Sequence, residues 1–479
     1  MVKFSTSINL LNIWEKRVKV SKVKWIRRFE PVNPEKLLDA ALETAAWIEQ
    51  NGHTEGHTEW WEPWPEHEVG EDELLMKDTS LYGGAAGVAL LYLRLYKATG
   101  EKQWLEKAKA GVEYCIAKYR GKDEFHTEQP YLQGAYVGFF NGAAGGGYVA
   151  HLLGQLTGEE RYQTFAKQVA DDAIDAAKVE DGALSWYGFY GILGEGAVTL
   201  FLLEMYETYG DERYLKAADQ SAEYIDRQKE KSPWGGYRWN VLPTETFPTI
   251  GKPGGYFPGF EYGAAGCGYI LAKVWKHTGK ETYLETAKGA AEYILNIADY
   301  SEDGVEALVR YNDTYLTDLY YLGVCQGPIG TSRLFYVLYQ LTGEERYEKF
   351  VIQLTNGLLA SGAPVIHSEG YWRTNCYCCG GAGMLEHFLH MHRFTGDDRY
   401  LQAAYDAAEA IIGESTYDKK IRKWYTSWNR HEPDRSDAYI GLYHGSGGCA
   451  SALLAFRQYL EGGEVLPPYL EDPYKDLYK

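Results

Sequence analysis

The sequence predicts an all-α fold: an (α/α)7 toroid, a double α-barrel in which seven helical hairpins form an inner and an outer ring. Three observations carry this. A G-x-x-G spacing opens an apolar stretch seven times, and a Thr-Gly or Tyr-Gly turn followed by charged residues recurs six times. Strand-like alternation is scarce.

The glycine-opened stretches come in order as GGAAG ending at Gly87, NGAAG at Gly145, YGILG at Gly194, YGAAG at Gly266, QGPIG at Gly330, CGGAG at Gly383 and HGSGG at Gly448. Paired glycines on one face let helix starts approach each other closely. Six of the stretches run into a turn: TGEKQW from Thr99, TGEERY from Thr157, YGDERY from Tyr209, TGKETY from Thr278, TGEERY from Thr342 and TGDDRY from Thr395. The turn glycine ends one helix in the left-handed conformation. The acidic residues after it fall in the first turn of the next helix and favour its positive end. The following Tyr or Trp begins a buried stripe in an alanine-rich helix. Each unit of roughly 50–70 residues cannot bury its apolar face alone, so the units stack and close. Residues 1 to about 35 are expected to be an N-terminal extension, and 36–479 a single toroid domain. Two long irregular segments interrupt the repeats, one from His53 to Asp72 and one from Ser232 to Phe260. Loops of this length inside a compact domain are often functional. The first holds His53, His57 and His67 and reads as a solvated loop, with a lid or peptide clamp as the alternative.

The chain has 479 residues, 45% of them apolar, enough for a large core. Its formal charge of -19 makes nucleic acid a poor partner, because phosphates would be repelled over most of the surface. The 41 tyrosines and 14 tryptophans suit either a lined cavity or many helix–helix contacts. The N-terminus shows no signal-peptide pattern, and no run of ~20 apolar residues suggests a membrane span. A cytoplasmic, reducing location is expected. Clustered cysteines there point to metal or chemistry rather than disulfides.

If all inner helices start at one end, the residue before each motif glycine faces a common mouth. These residues are Gly83, Asn141, Tyr190, Tyr262, Gln326, Cys379 and His444, a polar and varied set. Asn141 and Gln326, with Glu261 beside Tyr262, are candidates for substrate binding. Cys325 adjoins Gln326, and Cys378 adjoins Cys379, so two neighbouring helix starts carry three thiols. Helix N-termini favour thiolate, the form that binds metal, and zinc is the natural ion for such a set. Three protein ligands would leave the fourth position open, as in catalytic zinc sites. The alternative is buried cysteines that pack as small apolar groups, the reading given to Cys115, Cys267, Cys376 and Cys449. Cys376 could stand in as a ligand. On the sixth inner helix, Glu386, His387, His390 and His392 read as packing residues.

These motifs resemble the lanthionine synthetase C-like proteins, the lanthipeptide cyclases, over all seven repeats from about Ser80 to Phe456. SLYGGAAGVALLYL is similar to the family's first repeat. VCQGPIG at Cys325 and CCGGAG at Cys378 are similar to its zinc motifs, Cys-x-G-x-x-G and Cys-His-G-x-A-G. The resemblance implies Cys325 and Cys378 as zinc ligands. Cys379 stands where most members have His, and a three-cysteine site occurs in one branch of the family. The implied reaction adds a peptide cysteine thiol to dehydroalanine or dehydrobutyrine, closing a thioether ring. The substrate would be a dehydrated precursor peptide. With no dehydratase-sized extension, dehydration is expected to need a separate dehydratase or kinase-type enzyme. The sequence departs from the family at its acid/base positions: Tyr262 replaces a His, Tyr187 an Asp and Tyr321 an Arg. The proton needed by the enolate is then expected from His444, Tyr262 or Tyr190. Two further readings stay open. One is a non-catalytic, zinc-stabilised member that binds a peptide, glutathione or a partner enzyme. The other is a carbohydrate-active toroid that uses paired carboxylates.

Overall fold

The computed structural model describes residues 30–66, 79–125, 138–186, 190–240, 255–313, 319–366, 374–426 and 436–478. Residues 1–29 of the expected extension, His67 and Tyr187 lie outside them.

Seven inner helices start from the glycine motifs: α2 (Ala85–Thr99), α4 (Ala143–Thr157), α6 (Ala197–Tyr209), α8 (Ala264–Thr278), α10 (Pro328–Thr342), α12 (Gly381–Thr395) and α14 (Ser446–Glu461). Outer helices follow six of them: α3 (Lys102–Lys118), α5 (Glu160–Ala176), α7 (Glu212–Arg227), α9 (Glu281–Ile297), α11 (Glu345–Ser361) and α13 (Asp398–Glu414). The turn glycine caps each of these six inner helices with positive φ, as at Gly100 (71°) and Gly158 (73°). The inner helices are buried nearly all round. The outer ones are amphipathic; α7, for example, buries Tyr214, Ala217, Ala218, Ser221, Ala222 and Ile225.

The seventh hairpin joins the two ends of the described chain. The last inner helix, α14, packs against α1 (Pro34–Gln50), and α14 also packs against α2, so the ring closes. Helix α1 opens with the Asn33 side chain capping the Lys36 N–H and with Pro34 in its first turn. Short antiparallel two-stranded ladders lie in the connections, such as Gly52–Glu55 with Thr58–Trp61. In that ladder the exposed His53 stacks on Trp60 at 4.3 Å.

The second motif glycine does two jobs. A Cβ on Gly145 would collide with the Phe139 carbonyl and lie 2.7 Å from Leu81 Cβ of the next helix start. The equivalent carbonyl, six residues back, blocks Gly87, Gly266, Gly330, Gly383 and Gly448. Close approach was expected between helices; each helix also lies against its own entry loop. Gly145→Ala is therefore expected to cost about 3 kcal/mol. Gly100→Ala meets open space and should lose only about 1–2 kcal/mol from the left-handed backbone. Urea unfolding of the two variants checks the order.

Candidate metal centre at the mouth of the inner barrel

The loops that open the inner helices are tied into an arc of backbone hydrogen bonds. Tyr82 N–H donates to Phe140 O (2.8 Å), Tyr443 N–H to Tyr82 O (3.1 Å) and Cys378 N–H to Tyr443 O (2.7 Å). Cys325 N–H donates to Cys378 O (3.2 Å), Glu261 N–H to Cys325 O (2.8 Å) and Leu193 N–H to Glu261 O (2.7 Å). All seven helix starts are linked this way. Most of the linking residues stand two before the motif glycine, so that position, as well as the next one, lines the mouth.

Cys325, Cys378 and Cys379 meet there. Their sulfurs all lie within 4.8 Å of one another, with Cys325–Cys379 and Cys378–Cys379 each 3.4 Å apart. All three are buried. Tetrahedral zinc with Zn–S bonds of about 2.3 Å needs sulfurs roughly 3.8 Å apart, so this donor set fits. Hydrogen bonds from Cys378 and Cys379 pull the Cys325 thiol down to about 7 against its burial. Cys378 and Cys379 are held up, first by hydrogen bonding to Cys325. Cys376 stands outside the trio: its sulfur accepts from Thr374 Oγ1 (3.0 Å) and Cys379 N–H (3.4 Å). Cys449 donates to Asn375 O at 3.0 Å, and burial raises Cys267.

Glu261 accepts a hydrogen bond from Cys378 Sγ at 3.0 Å. Burial, and then the neighbouring Cys378, push its carboxyl well above the usual range. Tyr82, which the one-residue-per-repeat reading missed, lies against Cys378, and burial first, then that cysteine, raises its hydroxyl well above the usual range. Gly83 has no side chain, and the tyrosine before it reaches the cluster instead. Tyr262 is buried, and its hydroxyl lies 2.6 Å from that of Tyr311, which stacks on Tyr321 at 4.3 Å. Burial first, then Tyr311 and Cys325, raise Tyr262, so it stays protonated. Two of the three positions that depart from the family pattern, Tyr262 and Tyr321, are joined through Tyr311.

Asn141 and Gln326 are both 2% exposed. Asn141 Oδ1 and both polar atoms of the Gln326 amide have no hydrogen-bond partner among the described residues. Two expected acids are placed differently. His444 is fully buried, stacked on Tyr82 at 4.8 Å and tilted against Tyr439 at 4.8 Å. Burial lowers it to about 3, so it is neutral near pH 7 instead of titrating there. Tyr190 is tilted against Tyr224 of the outer helix α7 at 6.1 Å, and burial raises it. On α12, Glu386 pairs with Arg94 (3.1 Å), His387 meets Thr355 (3.0 Å), His390 approaches Asp472 (3.6 Å) and His392 meets Tyr459 (2.6 Å). No helix of the described residues is long and apolar enough to cross a membrane.

Among solved structures, nisin cyclase superposes with a TM-score of 0.55 at 16% identity, over 81% of this chain and 94% of that one. It shares the toroid fold. The Lin0763 protein from Listeria innocua gives a TM-score of 0.47 at 12% identity, over 90% and 99% of the two chains. An α-1,6-mannanase from a Salegentibacter species gives 0.44 at 12% identity, over 88% and 99%. The sequence profile described as lanthionine synthetase C-like protein matches residues 76–461. The chain belongs to the lanthionine synthetase C-like family.

Proposed function

We propose that the protein is a zinc-dependent cyclase that adds a peptide cysteine thiol to a dehydroalanine or dehydrobutyrine in the same peptide. The observation that carries this reading is the trio of buried sulfurs within 4.8 Å in a member of this family. Zinc held by Cys325, Cys378 and Cys379 would keep the incoming thiol as thiolate at neutral pH. The chain's own groups account for the rest. A primary amide offers one donor and one acceptor edge, which match a peptide group, so Gln326 and Asn141 are assigned to the substrate backbone. Their unpaired buried atoms support this assignment.

In the reaction a C–S bond forms at the β-carbon, and the alkene electron pair moves to the α-carbon as an enolate. That carbon then takes one proton. Tyr262 is the donor this geometry favours. Its hydroxyl is protonated, lies beside the cluster and pairs with Tyr311, which is half-buried and can resupply the proton from solvent. With zinc held, the Cys378 thiolate would have no proton to give, and Glu261, kept protonated by its burial, would donate to that sulfur instead.

Incubation with a dehydrated lanthipeptide precursor, read by thiol alkylation and mass spectrometry, tests this: ring closure without mass change is expected. Tyr262→Phe should lower kcat about 100-fold with zinc content unchanged. An unchanged kcat would remove Tyr262 from the reaction. A second reading, a non-catalytic peptide binder, is favoured by the tyrosines at the family's His and Arg positions. It predicts peptide binding without turnover.

A further inference from the structure

The sequence after α14 has no helical period, yet Leu466 and residues 469–474 are buried among the inner helices. Leu466, Tyr469, Leu470, Glu471, Asp472 and Tyr474 are all less than a tenth exposed. The segment bonds to six of the seven inner helices. Arg94 of α2 donates to Pro467 O (2.8 Å), and Tyr148 of α4 donates to Pro468 O (3.0 Å). Lys475 reaches Glu204 of α6 (3.5 Å), and Tyr474 meets Ser332 of α10 (3.0 Å). Arg393 of α12 donates to Leu477 O (3.3 Å), and Tyr469 donates to Ser451 of α14 (3.3 Å).

Two of its side chains reach up to the cysteine loop. Tyr377, between Cys376 and Cys378, stacks on Tyr469 with ring centres 4.0 Å apart and planes within 19°. The Tyr377 hydroxyl accepts from Arg333 Nη2 at 2.9 Å, and Arg333 Nη1 pairs with Glu471 at 3.5 Å. Glu471 also accepts from the Tyr443 hydroxyl at 3.1 Å. The Tyr443 carbonyl in turn holds the Cys378 N–H. Cys378 is therefore braced twice from below, through the residue before it and through its own amide.

We propose that residues 466–478 are a built-in clamp for the thiol cluster, with Tyr469 and Glu471 as positioning residues for the metal ligands. Among the described residues the segment bonds to none of the three sulfurs; it acts through Tyr377 and Tyr443. Groups that orient metal ligands from outside are worth about 10–100-fold in affinity. The inference rests on the metal reading of the cluster.

The test is zinc affinity by chelator competition, together with the thiolate-to-cobalt charge-transfer band of the cobalt-loaded protein. Wild type, Glu471→Gln, Tyr469→Leu, Tyr469→Phe and Tyr474→Phe are compared. Glu471→Gln and Tyr469→Leu should weaken zinc about 10–100-fold and shift the cobalt band. Tyr469→Phe keeps the stacked ring and should stay near wild type. Tyr474→Phe cuts the Ser332 hydrogen bond in the same segment and should leave affinity and band unchanged. Near-UV circular dichroism identifies any variant that fails to fold. If Glu471→Gln is lost that way, the Leu and Phe pair at Tyr469 decides. Wild-type affinity in folded Tyr469→Leu, or equal loss in Tyr474→Phe, overturns the clamp while leaving the metal site standing. A wild type that binds neither zinc nor cobalt overturns the metal reading, and the clamp with it.

Discussion

Cys378→Ala should weaken zinc binding roughly several-hundred-fold and abolish ring closure. The size follows from sharing the 10–16 kcal/mol typical of structural zinc sites over their four protein ligands, or about 2.5–4 kcal/mol each. The loss should exceed that of an isolated ligand, because Cys378 is the junction of the site. Its sulfur lies 3.4 Å from Cys379 and donates to Glu261, and its amide and carbonyl both belong to the backbone arc around the mouth. Alanine keeps the arc, so the fold should survive and the effect should be local. Cys376→Ala provides the contrast. Two residues away, its sulfur is engaged by Thr374 and the Cys379 amide and stands outside the trio. It should keep wild-type zinc stoichiometry. Chelator competition on both variants, alongside the cyclisation assay, reads the difference. Equal losses would place Cys376 in the ligand set. Unchanged ring closure in Cys378→Ala would remove this thiol from the chemistry.

Arg94→Ala should cost 3–5 kcal/mol of folding stability, to be measured by urea unfolding, out of a typical total of about 5–15 kcal/mol. Arg94 is 4% exposed and pairs with Glu386 at 3.1 Å. It also donates to Ser451 at 2.7 Å and to Pro467 O at 2.8 Å, and lies over the Tyr469 ring at 4.3 Å. Its removal leaves a buried carboxyl without its cation and a tail carbonyl without its donor. Replacing both partners together, Arg94→Met with Glu386→Leu, should recover most of the loss, because the desolvation cost of the pair disappears with it. A single variant within about 1 kcal/mol of wild type would show that water or rearrangement compensates.

The repeat architecture was legible in the sequence because its signals are local. A glycine that must cap a helix, or must lie against a carbonyl six residues back, admits few substitutes, and the carbonyl contact recurs in six of the seven repeats. The three cysteines were legible for a related reason: they fall at equivalent repeat positions. What the sequence hid is non-local. Helix α1 has no glycine start and no turn signature linking it to α14, so its place as the outer partner of the seventh hairpin emerges only when the ring closes. The tail from Leu466 has no amphipathic period, since Leu466 and residues 469–474 are buried as one run among the surrounding helices. Tyr82 and Tyr311 gain their roles from the backbone arc and from the Tyr262 hydroxyl, which no spacing encodes. His444 occupies the expected register, but burial against Tyr82 and Tyr439 removes the titration that its residue type suggests.

The most direct test of the central claim is metal content by mass spectrometry, on the purified wild type and on Cys325→Ala. About one zinc per chain is expected in the wild type, lost in the variant. Absence of zinc from both, after purification without chelators and with zinc supplied, would contradict it and leave the three thiols as packing.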